Sequence, residues 1–132
     1  MNVFYNTIVF VNDIVKSRYF YEAILELKIE VDYGVLVIYE NRFAIHEGNK
    51  LQKTIFGKVQ RRIQKRFGRK NVDIYFETDQ LEKIEKLLQK ENIRFIHKIA
   101  QQEWGQKVLR CYDPDKHIVE IGEPLHLDFL KK

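Results

Sequence analysis

The stretch Tyr112-Asp113-Pro114-Asp115-Lys116-His117-Ile118-Val119-Glu120-Ile121-Gly122-Glu123-Pro124 sets a tight turn directly before a short apolar strand that carries one carboxylate, Glu120, at its centre. Asp and Pro are turn formers because one hydrogen-bonds its own backbone and the other presets φ. Lys116 stands where such turns usually use glycine, so a left-handed residue there carries mild strain. An ionised carboxylate among apolar neighbours neutralises, pairs or binds a metal. A half-exposed, alternating strand offers the other solution, in which the acid simply points to water. The strand alone leaves both open.

Outward from that strand, the periodicities fall into two similar halves. In the second half, Asp73 to Thr78 reads as a strand, and Asp79 opens a helix with Leu81, Ile84, Leu87 and Leu88 on one side. Strands follow over Arg94 to Ile99, Gln106 to Tyr112 and His117 to Ile121. The first half has the same order. Thr7 to Val11 is a strand, and Asp13 caps a helix from Ile14 to about Leu25 with Val15, Tyr19, Phe20 and Ala23 as its apolar face. Lys28 to Asp32 and Val35 to Tyr39 flank a Tyr33-Gly34 hairpin, and Phe43 to Glu47 completes the set. The expected class is therefore α+β, with two βαβββ modules. A helix covers one face of each small sheet, and the opposite face is left to curl into a trough or meet its counterpart.

Between the halves the charge is uneven. Nine of the 23 basic residues lie between Gly48 and Val72, with no acid among them, so the rest of the chain is acidic on balance. Ile55, Val59, Ile63 and Phe67 recur every four residues, which predicts one helix with a narrow apolar stripe and a cationic outer face. The bases do not alternate with a row of aromatic residues that could stack on nucleotides, Phe56 and Phe67 being the two in the stretch, so this segment reads as a connection docked on the domain, and a nucleic-acid partner is not expected. At 132 residues the chain is expected to be a single domain: module one over about 6–47, the basic helical connection over 48–71, module two over about 72–122 and a tail over 123–132. Its only cysteine, Cys111, forms no internal disulfide and reads as a packed thiol. The start lacks a signal-peptide pattern and no apolar run is long enough to span a bilayer, so a cytoplasmic protein without a membrane partner is expected. The tail Leu125 to Leu130 is apolar enough to pack on a partner subunit.

Strand alternation sorts the polar residues onto faces. Asn6 and Asp73 are the first inward positions of the opening strands, and His46 and Glu120 lie inward on the closing strands. Tyr75 and Arg110 share that inward parity. Trp104, in the hairpin before Gln106, is placed either to rim a ligand or to cap the end of the sheet. His97 and His117 have apolar neighbours and read as structural or exposed.

Several segments in this order resemble the vicinal oxygen chelate superfamily, which includes glyoxalase I, bleomycin-resistance proteins and extradiol dioxygenases. They are Val11-Asn12-Asp13 leading into Tyr19-Phe20-Tyr21-Glu22, then Phe43-Ala44-Ile45-His46-Glu47, then Asp73 through Asp79, and finally Asp113-Pro114-Asp115 running to Glu120. The resemblance implies paired modules forming a curved, cup-like mixed sheet with helices on the outside, and commonly a homodimer. By position it implies a metal site of His46, Asp73 and Glu120, with Glu120 also the catalytic base; strand parity adds Asn6, Tyr75 and Arg110, and the hairpin adds Trp104, as substrate-site candidates. One imidazole and two carboxylates suit a divalent metal, Mn, Fe, Mg, Ni or Zn. The activity so implied is that of a metal-dependent lyase, isomerase or dioxygenase on a small oxygen-rich metabolite. The alternative is a metal-free small-molecule binding protein of bleomycin-resistance type. Asn6 and the exchanged ligand types at His46 and Asp73 depart from the glyoxalase I pattern, so glyoxalase I activity itself is not expected.

Overall fold

A computed structural model describes residues 1–59 and 67–125, which form two compact units, Met1–Phe67 and Gly68–Lys132. The first contains strand β1 (Thr7–Val11), helix α1 (Ile14–Arg18) continued by a π-helical turn (Tyr19–Ile24), β2 (Ile29–Asp32), β3 (Leu36–Tyr39), β4 (Phe43–Glu47) and α2 (Gly48–Phe56). The second contains β5 (Asp73–Glu77), α3 (Leu81–Lys90), β6 (Phe95–Gln101), β7 (Lys107–Tyr112) and β8 (Ile118–Gly122). Each unit is a four-stranded mixed sheet, ordered β1-β4-β3-β2 in one and β5-β8-β7-β6 in the other, and neither closes into a barrel. In both, the opening strand runs parallel to the closing strand, a pairing that needs the intervening helix as a crossover. The expected α+β fold of repeated βαβββ modules is what forms.

In module one the Asp13 carboxylate accepts from the backbone N–H groups of Val15 and Lys16, the expected helix cap. The buried stripe is Ser17, Phe20, Tyr21 and Ile24, which keeps only Phe20 of the predicted face. Val15 and Tyr19 are 74% and 51% exposed, and Ala23 is exposed as well. Two apolar stripes overlap in this sequence, and aromatic packing selects between them. The Tyr21 ring lies 5.0 Å from Phe43 and 6.4 Å from Tyr39, so the stripe containing Tyr21 faces the sheet. The helix accommodates this by widening to i→i+5 hydrogen bonds, as from Leu25 N–H to the Phe20 carbonyl.

The connection departs from expectation too. Helix α2 stops at Gly57, which takes φ +77, the left-handed cap that glycine adopts without a Cβ penalty. The predicted single stripe is not continued: Ile55 is exposed, and the buried residues of α2 are Gly48 and Gln52. Ile63 and the bases Arg61, Arg62, Lys65 and Arg66 lie outside the described residues, as do His126 and the tail beyond Leu125.

In module two α3 starts one residue later than the Asp79 signal implied. Gln80 is the N-cap, without a side-chain cap, and Thr78 Oγ1 accepts from the Gln80 N–H. Leu81 and Leu88 are buried as expected, on the same side of the sheet as Val119, Ile121, Leu109 and Cys111. Burial pushes the Cys111 thiol up to about 12, with Asp113 adding to the effect, so it is inert packing. The turn before β8 is built on Asp113, whose Oδ1 accepts from the N–H groups of Asp115 and His117 while Oδ2 lies 2.8 Å from His117 Nδ1. Lys116 does adopt the left-handed conformation, at φ +69. Among the described residues no helix is long and apolar enough to cross a membrane.

Candidate functional site

The strand carrying Glu120 pairs on both sides, and the register sets a row across all of module two. Tyr75 on β5 pairs with Glu120 on β8, Glu120 with Arg110 on β7, and Arg110 with His97 on β6. Directly paired residues project to one side of a sheet, so these four side chains share a face. The face opposite is the apolar one under α3, which leaves this row as the polar surface of the module.

The row is tied by hydrogen bonds. Arg110 Nε donates to Glu120 Oε1 at 2.8 Å, and Arg110 Nη1 lies 2.9 Å from His97 Nε2 and 3.5 Å from Gln102 Oε1. Glu120 is 7% exposed, so its charge is largely removed from water and needs this cation. Asp73, at the start of β5, hydrogen-bonds the Glu120 carboxylate. Partial burial, then the hydrogen bond and negative charge of Glu120, raise the Asp73 carboxyl to about 7 against the pull of Arg110. For Glu120 burial opposes ionisation, but the hydrogen bonds from Asp73 and Arg110 and the guanidinium charge outweigh it and hold its pKa below the usual carboxylate value. Two acids therefore share one proton, with the arginine deciding which of them stays ionised.

Beside the row runs a second chain of hydrogen bonds. Trp104 Nε1 donates to Gln106 Oε1 at 2.8 Å, Gln106 Nε2 donates to Tyr75 Oη at 2.8 Å and to the Glu123 carbonyl at 2.7 Å, and the Tyr75 hydroxyl donates to Glu77 Oε2 at 2.6 Å. Gln106 is buried and its amide lies against Gly122, where a Cβ would collide with Nε2. Glycine at the end of β8 thus makes room for the side chain that orients Tyr75 and Trp104, both of which remain accessible. Burial, with help from Glu77, pushes the Tyr75 hydroxyl up to about 12, so it is a donor and not an anion at neutral pH.

Of the residues the sequence nominated, Asp73, Tyr75, Trp104, Arg110 and Glu120 fall in this network. His46 and Asn6 belong to module one. There His46 pairs with Phe10 on one side and Leu36 on the other, an apolar row, and its Nδ1 lies 2.9 Å from the Glu47 carbonyl. A carbonyl only accepts, so Nδ1 carries a proton, which in the neutral ring leaves the lone pair on Nε2. Asn6 precedes β1 and is half-buried. Glu47 caps α2, accepting from the N–H groups of Asn49 and Lys50, and is occupied there.

A divalent cation is disfavoured where a fixed positive charge already neutralises the carboxylate it would bind. In module two the Arg110 guanidinium lies 2.8 Å from Glu120 Oε1, so the donor set as arranged fits a metal poorly. Among the described residues no three His, Cys, Asp or Glu side chains are placed together to hold one. What the arrangement can do is donate hydrogen bonds through Arg110, offer the accessible rings of Tyr75 and Trp104, and give or take one proton at the carboxyl pair.

His97 and Gln106 were not nominated by sequence. His97 reaches the row because β6 is bulged. Phe95 pairs with Cys111 and His97 with Arg110, two residues on β6 against one step on β7, which carries His97 to the face that simple alternation denies it. For Gln106 the usable signal was Gly122 on the neighbouring strand.

Residues 4–126 match the model of a glyoxalase-like domain. A protein of unknown function from Agrobacterium tumefaciens str. C58 is 41% identical over 95% of both chains, with a TM-score of 0.85. A glyoxalase-related enzyme from Fulvimarina pelagi matches at 15% identity over 94% of this chain and 89% of its own, with a TM-score of 0.73. A lactoylglutathione lyase from Agrobacterium tumefaciens matches at 15% identity over 93% and 94%, with a TM-score of 0.65. At such identity the last two share the fold alone. No curated protein matches the chain.

Proposed function

We propose, from the premise that this chain belongs to the glyoxalase-like domain family, that it is a small-molecule-binding protein whose polar row in module two works without a metal ion. The observation that carries this reading is the 2.8 Å contact of Arg110 Nε with Glu120 Oε1. Glu120 is the one residue whose type and position match the ligand pattern implied by the resemblance, yet an arginine supplies its countercharge. The guanidinium therefore takes the electrostatic role that a cation would have, and it does so as a directional donor. Tyr75 and Trp104 provide accessible aromatic surface beside it, of the kind that small-molecule sites combine with a few fixed polar groups. Under this reading Glu120 anchors Arg110, and Asp73 holds the exchangeable proton.

The competing reading is a metal-dependent lyase, isomerase or dioxygenase with His46, Asp73 and Glu120 as ligands. It draws on the free Nε2 lone pair of His46, since a ligating histidine characteristically donates its other N–H to a carbonyl. Elemental analysis of the protein purified without chelator, together with isothermal titration with Mn, Ni and Zn ions, separates the two. The proposal expects less than about one metal in ten chains and no binding tighter than about 0.1 mM, a range in which stray surface carboxylates and imidazoles bind. Stoichiometric metal that disappears in both His46→Ala and Glu120→Gln would overturn it.

A further inference from the structure

The bulged strand β6 places His97 against Arg110, and the two contacts of its imidazole define its chemical form. Nδ1 lies 2.8 Å from the Lys98 carbonyl oxygen, and Nε2 lies 2.9 Å from Arg110 Nη1. A carbonyl offers only lone pairs and a guanidinium only N–H bonds. Both contacts are hydrogen bonds in one state alone, the neutral ring with its proton on Nδ1 and its Nε2 lone pair aimed at Arg110. On its other edge the guanidinium donates from Nε to Glu120. Because the group is planar and rigid, holding Nε and Nη1 fixes the direction of Nη2, which has no partner among the described residues.

We propose that His97 is a positioning residue for this site: as a neutral hydrogen-bond acceptor it holds Arg110 so that Nη2 points at a carbonyl oxygen of an uncharged ligand. The ligand class follows from charge. Glu120 already balances Arg110, so the guanidinium offers directed N–H groups without net attraction for an anion. The neighbouring carboxylate Glu77 and the proton-sharing Asp73 disfavour an anion further. The inference rests on the reading of this row as the binding surface, and the bulge supports it, since bulges commonly re-aim a side chain beside a functional site.

The test uses the full chain labelled with 15N. A long-range proton–nitrogen correlation at pH 8 reads the tautomer of His97, assigned from the signal missing in His97→Gln. The Nδ1–H pattern is expected; an Nε2–H or averaged pattern overturns the positioning role whatever the site binds. The Nε and Nη resonances of Arg110, assigned from Arg110→Lys, then report binding of three probes that share a ring and differ in charge: benzamide, benzoate and benzylamine. Benzamide is expected to shift Arg110 most. His97→Gln, which keeps an acceptor, is expected to bind it within about twofold of the native protein, and His97→Leu about tenfold more weakly, the scale of one lost hydrogen bond. Equal binding by His97→Leu overturns the positioning role, and a preference for benzoate or benzylamine overturns the ligand class. If the tautomer is as stated and no probe shifts Arg110, the binding-surface reading falls, and the ligand class with it.

Discussion

The two modules repeat one topology, yet their equivalent rows have opposite chemistry. In module one the row is Phe10, His46 and Leu36; in module two it is Tyr75, Glu120, Arg110 and His97. Each row lies on the sheet face away from the covering helix. The ion pairs of module one sit on the helix side and are partly exposed: Arg18 bridges Glu22 and Asp32 at 2.8 and 2.9 Å, and the buried Tyr39 donates its hydroxyl to Glu22 at 2.7 Å. There the ion pairs fasten a helix to its sheet. In module two the ion pair lies on the sheet face away from α3, with Arg110 partly exposed and Glu120 nearly buried. The comparison teaches that a βαβββ unit needs only one buried face for its stability, which leaves the other free to diverge.

The largest expected effect comes from breaking the polar row. Arg110→Met leaves Glu120 and Asp73 without their cation, and chemical denaturation is expected to show a loss of about 3 kcal/mol, the scale for removing one partner of a poorly solvated pair. Adding Glu120→Leu should restore more than half of it, because an apolar row is also a stable solution, as module one demonstrates. His46→Leu, the corresponding change there, is expected to stay within about 1 kcal/mol of the native protein. A larger cost at His46 than at Arg110 would reverse the functional contrast drawn between the modules.

Gly122→Ala is next. Its Cβ meets the Gln106 amide, so the side chain must leave and release both Tyr75 and the Glu123 carbonyl, at about 1–3 kcal/mol by thermal or urea unfolding. Gln106→Ala alone is expected to cost less than this. In the double variant the added cost of the alanine at 122 should nearly vanish; simple additivity would mean that the collision is not the cause.

The smallest effect is in pH dependence. Asp73 binds its proton more tightly in the folded state than its ordinary value of 3.8. Stability from that proton is complete below about pH 4 and is lost as pH rises through about 7. Solvent around this exposed residue moderates the effect, so a decline of a few °C in Tm between pH 5 and pH 8 is expected. Asp73→Asn should flatten the profile in that window, and an unchanged slope would remove the shared proton from the account.

How much of this was legible in sequence depends on whether a residue's place followed from local period. Glu120, Arg110, Tyr75 and Asp73 lie on strands regular enough for alternation to assign their face, and the Asp113 turn starts β8 at a definite place. Trp104 was legible as part of a Gly-containing hairpin. His97 was not, because a bulge is a property of strand pairing and leaves no mark in period-two alternation. The buried stripe after Asp13 was misassigned for a related reason: two helical stripes fit the spacing, and only the rings of Phe43 and Tyr39 on the sheet distinguish them.

By itself, then, the sequence determined the repeated βαβββ order, the capped helix in module one and the identity of the acids facing away from the core in module two. Those features depend on residues near one another in the chain, where turn chemistry and periodicity act. The tertiary structure decided that Glu120 is answered by Arg110, that Gln106 fits only over Gly122, and that His97 joins the row. Each of these depends on the register between strands distant in sequence, and register is set by packing the whole sheet at once.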